Sequence, residues 1–331
     1  MDLTVVWAVI IAFAVAMYVL MDGFDLGIGI LFPGFTVGKE RDQAMNAIAP
    51  VWDGNETWLV LGGGGLMAAF PLAYAIVLPA LYAPLIAMLL GLVFRGVAFE
   101  FRWRDPGHRK AWDAAFCLGS LVATFAQGIT LGALLQGITI EGRAYAGGWW
   151  DWLTPFSLLT GASLVVAYAL LGAAWLIWKT EGRLHDDARR YATWLLPAFL
   201  LMVGTVSLAT PFLEEQYHRR GFEWPGLIVT ALMPFFFGLT ALVAWEGIRR
   251  GKDWLPFAAS LGLFALTMIG LGISIWPDVI PGRVTIWEAA APYESQLFML
   301  IGAGVLVPVI LAYTGWAYWV FRGKVDEEGY H

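Results

Sequence analysis

Nine apolar segments of membrane-spanning length constrain this chain more than any other feature of its sequence. Each holds about 20 residues or more, which is enough for a helix to cross the hydrocarbon core of a bilayer. The segments occupy residues 3–31, 54–71, 77–100, 112–138, 153–178, 193–213, 225–248, 255–276 and 294–321. With 59% hydrophobic and 14% charged residues and a mean hydropathy of +0.68, the chain is too apolar for a soluble domain. We therefore predict an all-α polytopic membrane protein with nine transmembrane helices, and we expect no nucleic-acid partner.

The basic residues predict how these helices are oriented. Fifteen of the 20 lysines and arginines follow an odd-numbered segment, four follow an even-numbered one, and Arg95 lies inside the third. Because basic residues concentrate in cytoplasmic loops, this asymmetry places the N-terminus outside and the C-terminus in the cytoplasm. The strict alternation also favours nine helices over eight or ten.

Acidic residues border or interrupt two of the apolar segments. Asp22 and Asp25 lie within the first segment, and the stretch Trp52, Asp53, Gly54, Asn55, Glu56 and Thr57 opens the second. Charge in a membrane segment is costly and usually serves a proton or ion path. We predict that Asp53 and Glu56, with Asn55, Thr57 and Trp52 beside them, form a proton entry on the cytoplasmic side. Asp53 could also simply cap the second helix, and the two roles are compatible.

Arg95 is the one basic residue inside an apolar segment, and it requires a partner. Asp25 lies seven residues before Phe32 and Arg95 seven residues before Arg102, which places each about 10 Å inside the predicted cytoplasmic boundary at 1.5 Å per residue. We predict an ion pair of Arg95 with Asp25, Asp22 or Asp53, with Asp25 preferred, in a buried charge cluster of Asp22, Asp25, Arg95 and Glu100. A purely structural lock between the first three helices is the alternative.

Two further patterns bear on cofactors. The four histidines, His108, His185, His218 and His331, all fall outside the apolar segments, so we expect this chain to ligate no haem iron and no other metal. The run of four glycines from Gly62 to Gly65 lacks the Lys-Ser/Thr of a phosphate-binding loop, and it indicates close helix packing.

Three motifs closely resemble subunit II of cytochrome bd-type quinol oxidases, and their residues are most similar to those of the cyanide-insensitive branch. They are Asp22-Gly-Phe-Asp25-Leu-Gly-Ile-Gly, Asn46-Ala-Ile-Ala-Pro-Val-Trp-Asp53-Gly-Asn55-Glu-Thr-Trp58, and Phe94-Arg95-Gly-Val-Ala-Phe-Glu100-Phe-Arg102. The resemblance implies two four-helix bundles, residues 1–140 and 150–276, and a peripheral ninth helix at 294–321. It further implies a proton-path role for Asp53, and a role of Asp25 and Arg95 in assembling the haem-bearing core.

The resemblance also implies the partners of the chain. Subunit I would form a heterodimer with it and would carry two b-type haems, usually a haem d, and the site that oxidises quinol while O2 is reduced to water. A structural quinone in this chain and small single-helix subunits are further possibilities in such a family. The location would be the bacterial cytoplasmic (inner) membrane.

Two other functions stay open at this stage. A proton-coupled secondary transporter also carries intramembrane acids and broken helices, but its substrate site would lie at the bilayer midplane. The acids here gather towards the predicted cytoplasmic end instead. The other function is that of an assembly scaffold with no role in proton transfer.

Overall fold

The protein is built from long helices that follow the apolar segments. The computed structural model describes residues 2–224 and 226–325. Its helices are α1 Leu3–Leu31, α2 Lys39–Asn46, α3 Trp52–Ala69, α4 Pro71–Ala80, α5 Tyr82–Arg104, α6 Arg109–Leu135, α7 Pro155–Lys179, α8 Gly182–Ala209, α9 Glu215–Phe222, α10 Gly226–Arg250, α11 Trp254–Ile275, α12 Ile286–Ala289 and α13 Tyr293–Val320. Within the described ranges, eight helices or helix-containing segments are long and apolar enough to cross a membrane, and a bent pair makes a ninth if it counts as one span. An all-α polytopic membrane fold is therefore confirmed.

The bent pair corrects two predicted boundaries. Helices α3 and α4 meet at Phe70 at an angle of 119°. Pro71 occupies the first turn of α4, where it lacks the N–H that would continue α3, and it disfavours helical backbone at the residue before it. The third span consequently starts at Tyr82 and ends at Arg104, whereas residues 77–100 were predicted.

The other spans agree more closely with the sequence, with one exception. The first matches residues 3–31, whereas α8 begins at Gly182, eleven residues before the predicted start at residue 193. These eleven residues make about three turns that are rich in polar residues and precede the apolar segment, so hydropathy alone does not reveal them.

Two short hairpins join spans at the same end of the molecule as the N-terminus. Strands β1 Ile140–Glu141 and β2 Ala144–Tyr145 pair antiparallel between α6 and α7. Strands β3 Asp278–Ile280 and β4 Val284–Thr285 pair between α11 and α12, with Ile280 opposite Val284. The short helix α2 lies in the connection between α1 and α3 at the opposite end.

Helix α1 is the central element of the packing. It contacts α3, α6 and α7, while α5 packs on α6, α8 packs on α7, and α10 packs on α11. The division into two four-helix bundles and a ninth helix remains a prediction.

Helices α1 and α7 cross closely, because glycines bring the two backbones together. A Cβ atom on Gly27 would lie 1.8 Å from the carbonyl oxygen of Tyr168, and one on Gly172 would lie 2.5 Å from the backbone of Gly27. Small residues allow this approach in membrane proteins. Of the four-glycine run in α3, Gly62 and Gly65 face Val15 and Ile11 of α1, so the packing prediction holds for half of that run.

Candidate functional site: a buried charge cluster

A cluster of four charged side chains lies where α1, α3 and α5 meet. Asp22 and Asp25 are three residues apart on α1 and share a face of it. Both are fully buried, as is Arg95 of α5, and Glu56 of α3 is 27% exposed. We refer to Asp22, Asp25, Glu56 and Arg95 as the charge cluster.

Arg95 pairs with Asp22 and Glu56. Its Nη1 lies 2.7 Å from Asp22 Oδ1, a contact ion pair without the alignment of a hydrogen bond, and its Nη2 donates to Glu56 Oε1. The preferred pairing with Asp25 was therefore wrong. The prediction failed because the helix ends from which depth was counted were misplaced. Helix α1 ends at Leu31 and α5 at Arg104, so Asp22 and Arg95 each lie nine residues from the end of their helix, whereas Asp25 lies only six residues from it.

Asp25 has an amide as its partner. The Asn55 side chain donates from Nδ2 to Asp25 Oδ2 at 2.8 Å and to the Met21 carbonyl oxygen at 3.3 Å. The hydroxyl of Tyr318 on α13 donates to Asn55 Oδ1 at 3.0 Å. Sequence reasoning missed Tyr318, because it is one of several aromatic residues in an apolar segment and its spacing gives no signal.

The predicted proton entry divides between buried and exposed positions. Asn55 is buried and Glu56 half-buried, whereas Asp53 and Thr57 are exposed. Asp53 lies in the first turn of α3, where a negative charge is favourable near the helix N-terminus. The helix begins after Val51 with no side-chain cap, so the expected capping by Asp53 is not observed.

Trp52 supports the cluster from one side. Its ring stacks on Phe99 with 4.9 Å between centroids and an interplanar angle of 3°. The Arg95 guanidinium carbon lies 5.9 Å from the Trp52 centroid, within reach of a cation–π interaction. The stacked pair of Trp52 and Phe99 therefore lies beside the Arg95 guanidinium.

Glu100 does not belong to the charge cluster. Its side chain is 60% exposed and pairs with Arg104 one turn further along α5 at 3.3 Å. Five residues after Arg95, Glu100 points about 140° away around the helix, so it faces a different direction. The sequence prediction that grouped the two was wrong.

A second set of ion pairs, which the sequence analysis did not identify, lies nearer the end of α5. Arg102 is fully buried and pairs with Asp42 of α2 at 2.7 Å and with Asp113 of α6 at 2.5 Å. Arg41 pairs with Asp113 at 2.7 Å, and Arg109 pairs with Asp42. We refer to these five residues as the arginine network. The seven-residue spacing from Arg95 to Arg102, which puts both on one helix face, was the available signal.

Of the four histidines, the structure describes His108, His185 and His218. His108 pairs with Asp105 at 2.9 Å, and this hydrogen bond holds the pKa of Asp105 below its ordinary value. His185, which was predicted in a loop, lies in the first turn of α8 and contacts Asp253, while His218 packs on Phe222. His331 lies outside the described residues. Across residues 2–224 and 226–325, no three His, Cys, Asp or Glu side chains come together as a metal site.

The fold and the charge cluster define a polytopic all-α membrane protein that keeps carboxyl groups within its spans. Residues 3–321 match the family described as cytochrome bd terminal oxidase subunit II. The chain belongs to this family and is therefore a subunit of a quinol oxidase complex of the bacterial inner membrane, in which it works with a subunit I. The transporter alternative is set aside.

Individual relatives agree over nearly the whole length. The chain is 30% identical to cytochrome bd-I ubiquinol oxidase subunit 2 of Escherichia coli strain K12, covering 98% of this chain and 95% of that protein. It is also 30% identical to cytochrome bd ubiquinol oxidase subunit 2 of Bacillus subtilis strain 168, covering 97% and 96%. A chain of the bd oxidase from Geobacillus thermodenitrificans has the same fold, with a TM-score of 0.77 over 97% of this chain and 99% of that one at 19% identity.

Proposed function

We propose that this chain supplies the scaffold and part of the cytoplasmic proton-uptake path of the oxidase, while the haems and the quinol site are held by subunit I. In this proposal protons enter at Asp53 and pass Glu56 towards Asp22 and Asp25. Oxygen reduction consumes one proton per electron, and hydrocarbon cannot conduct protons to a buried site. The complex therefore needs a line of polar groups from one membrane face.

The composition of the charge cluster is the observation that carries the proposal. It contains three carboxyl groups and one guanidinium, joined through the Arg95 ion pairs and the neighbouring Asn55. Neutrality requires that two of the three carboxyl groups hold protons. Because an uncompensated charge is costly at this depth, the cluster is a store of exchangeable protons and not only a lock between helices.

Several buried polar atoms of the cluster remain free for water. Asp22 Oδ2, Asp25 Oδ1 and Arg95 Nε have no hydrogen-bond partner among the described residues, and Asp22 Oδ1 and Arg95 Nη1 have only their ion-pair contact with each other. Buried polar groups normally have one, and ordered water fills this role in many proteins. These atoms would align water molecules between Glu56 and the two aspartates.

An exposed stripe on α3 is the surface that we assign to subunit I. It consists of Asp53, Thr57, Val60, Gly64 and Met67, which recur at spacings of four and three residues and are all exposed. This is the pattern of a helix seam that packs against another helix. A partner helix on this stripe would bury Asp53 and continue the path into subunit I.

The remaining parts of the proposal follow from the family resemblance. Subunit I would hold two b-type haems with haem d, or haem b only, and no step that we assign to this chain passes through a haem. A structural quinone and small single-helix subunits are compatible with the fold. The basic residues favour a cytoplasmic C-terminus, which puts Asp53 at the cytoplasmic end of α3.

Replacing Asp53 by Asn tests the proton path. Asparagine keeps the shape of the side chain but cannot take up and release protons. We expect oxygen consumption by the purified complex to fall about tenfold, equivalent to about 1.4 kcal/mol of added barrier, with haem content unchanged. Glu56→Gln should act in the same direction, because the amide oxygen still accepts from Arg95.

The matched control is Glu100→Gln, which removes an exposed acid that lies on another face of α5. Its turnover should equal that of the wild type. If Asp53→Asn and Glu56→Gln both turn over at the wild-type rate with full haem content, the chain acts as a scaffold alone.

A further inference from the structure

Helix α13 reaches the buried carboxyl groups through one hydroxyl. Most of this helix is exposed, as expected for a peripheral span, but Tyr318 near its end points inward and is partly buried. Its hydroxyl donates to Oδ1 of Asn55, which is itself buried. Through Asn55, this contact links the last span of the chain to Asp25 of the charge cluster.

The hydrogen bonds of Asn55 fix the orientation of its amide. Oδ1 accepts from Tyr318, and Nδ2 donates to Asp25 Oδ2 and to the Met21 carbonyl. In the reversed orientation Oδ1 would face a carboxylate oxygen and a carbonyl oxygen, both acceptors, unless Asp25 carried a proton to donate. The two orientations of Asn55 therefore favour different protonation states of Asp25.

The Asn55 amide can be held in one orientation by its hydrogen bonds, but it does not relay protons as a carboxyl group or water does. Tyr318 thus acts on Asp25 only by holding Asn55 in place. We propose that Tyr318 is a positioning residue which, through Asn55, determines the pH at which Asp25 gives up its proton. This deepens the proposed function, because Asp25 belongs to the charge cluster, but it does not depend on entry through Asp53.

The other ionisable groups around Asp25 do not replace this link. Asp22 on the same helix, Glu56 of α3 and Arg95 of α5 act on Asp25 by charge. Helix α7 contributes Tyr168, whose hydroxyl donates to Gln127. Among the described residues, the Asn55 amide is the only group that donates a hydrogen bond to the Asp25 carboxylate.

A small cavity lies on the far side of Tyr318. Its volume is about 10 Å³, and its lining includes Tyr318, Asn46, Lys179 and Val325. This is room for about one water molecule, and Oδ1 of the buried Asn46 has no protein partner among the described residues. Tyr318 therefore contacts both Asn55 and a water-sized space.

Infrared titration of the intact complex tests the proposal. The carbonyl stretch of a protonated Asp25 is identified as the band that Asp25→Asn removes, and its intensity is followed against pH. Tyr318→Phe deletes only the hydroxyl and frees Asn55 to present its oxygen to Asp25. We expect the midpoint of this band to rise by about one pH unit, a tenfold change in proton affinity.

Two further variants make the result specific. Tyr313→Phe removes a hydroxyl from the same helix at a position that is 65% exposed, and it should leave the midpoint unchanged. Asn55→Leu should raise the midpoint as well, and adding Tyr318→Phe to it should produce no further shift, because the two residues act as one unit. Asn55→Leu also provides the test if Tyr318→Phe does not assemble.

The outcomes separate this inference from the proton path. The same pH dependence of the Asp25 band in the wild type and Tyr318→Phe overturns the inference, even if Asp53→Asn slows turnover. A raised midpoint in Tyr318→Phe supports it, even if Asp53→Asn turns over normally. A further shift when Tyr318→Phe is added to Asn55→Leu also overturns it, since Tyr318 would then act by another route.

Discussion

The charge cluster and the arginine network are centred on Arg95 and Arg102, which lie seven residues apart on one face of α5. The two groups have opposite ratios of acidic to basic side chains. The charge cluster has three carboxyl groups for one guanidinium, and the arginine network has three guanidinium groups for two carboxylates. The first is short of positive charge and must bind protons to become neutral. In the second, each carboxylate pairs with two arginines, so its negative charge is compensated without a bound proton.

In the proposed function, this difference separates a proton-holding site from a structural lock. In the arginine network, Asp42 and Asp113 connect α2 and α6 to α5, and both Arg41 and Arg109 are within reach of solvent. An exposed excess positive charge costs little, because water screens it. In the charge cluster, Asp22, Asp25 and Arg95 are fully buried, so each uncompensated charge costs several kcal/mol. Burial and stoichiometry together, not the presence of ion pairs, are the grounds on which we propose the proton-holding role for the charge cluster.

The largest expected effect comes from Arg95→Leu. It removes the only cation of the charge cluster and leaves Asp22 and Glu56 without a counter-charge. We expect a loss of about 3–5 kcal/mol in stability and a loss of haem from the purified complex. Thermal unfolding and the haem-to-protein ratio measure both quantities. Arg104→Leu, at an exposed position on the same helix, is the control and should keep full haem content.

Arg102→Leu should have a smaller effect and would sharpen the contrast. Asp42 keeps Arg109 and Asp113 keeps Arg41, so neither carboxylate loses all of its partners. We expect a stability loss of about 1–3 kcal/mol, with turnover per assembled complex equal to that of the wild type. Slowed turnover in complexes that retain full haem content would show that the arginine network also takes part in proton transfer. The charge cluster and the arginine network would then not differ in function.

The smallest effect should come from a half-exposed pair at the end of the last span. Lys324 donates to Asp253 at 2.6 Å, and the Asp253 side chain is 34% exposed. Burial acts to raise the pKa of Asp253, but hydrogen bonds from Lys324 and His185 outweigh it and lower the pKa below its ordinary value of 3.8. The contribution of Asp253 to stability is therefore present above that value and is lost as the pH falls through the lowered one.

Lys324→Met should weaken that contribution by at most about 1 kcal/mol, because the pair is screened by solvent. Thermal unfolding at neutral and acidic pH measures it: the difference between variant and wild type should shrink as Asp253 becomes protonated. A loss as large as that in Arg95→Leu would mean that burial is not what separates the strong ion pairs from the weak ones.

The sequence by itself determined the class of fold and most of the spans. Long apolar segments can be read locally, since a helix in lipid must satisfy its own backbone and needs about 20 apolar residues. It also supplied Asp22, Asp25, Glu56 and Arg95, because a charged residue in an apolar segment is visible without knowledge of its neighbours.

Only the tertiary structure decided how these residues pair. Which carboxylate meets Arg95 depends on where α1 and α5 end, and the start of α5 depends on the bend at Phe70 that hydropathy does not show. Tyr318 reaches Asn55 across 263 residues of sequence, and Arg102 joins Asp42 and Asp113 from two other helices. Such contacts follow from the rotation and depth of packed helices, and these quantities depend on all their neighbours at once.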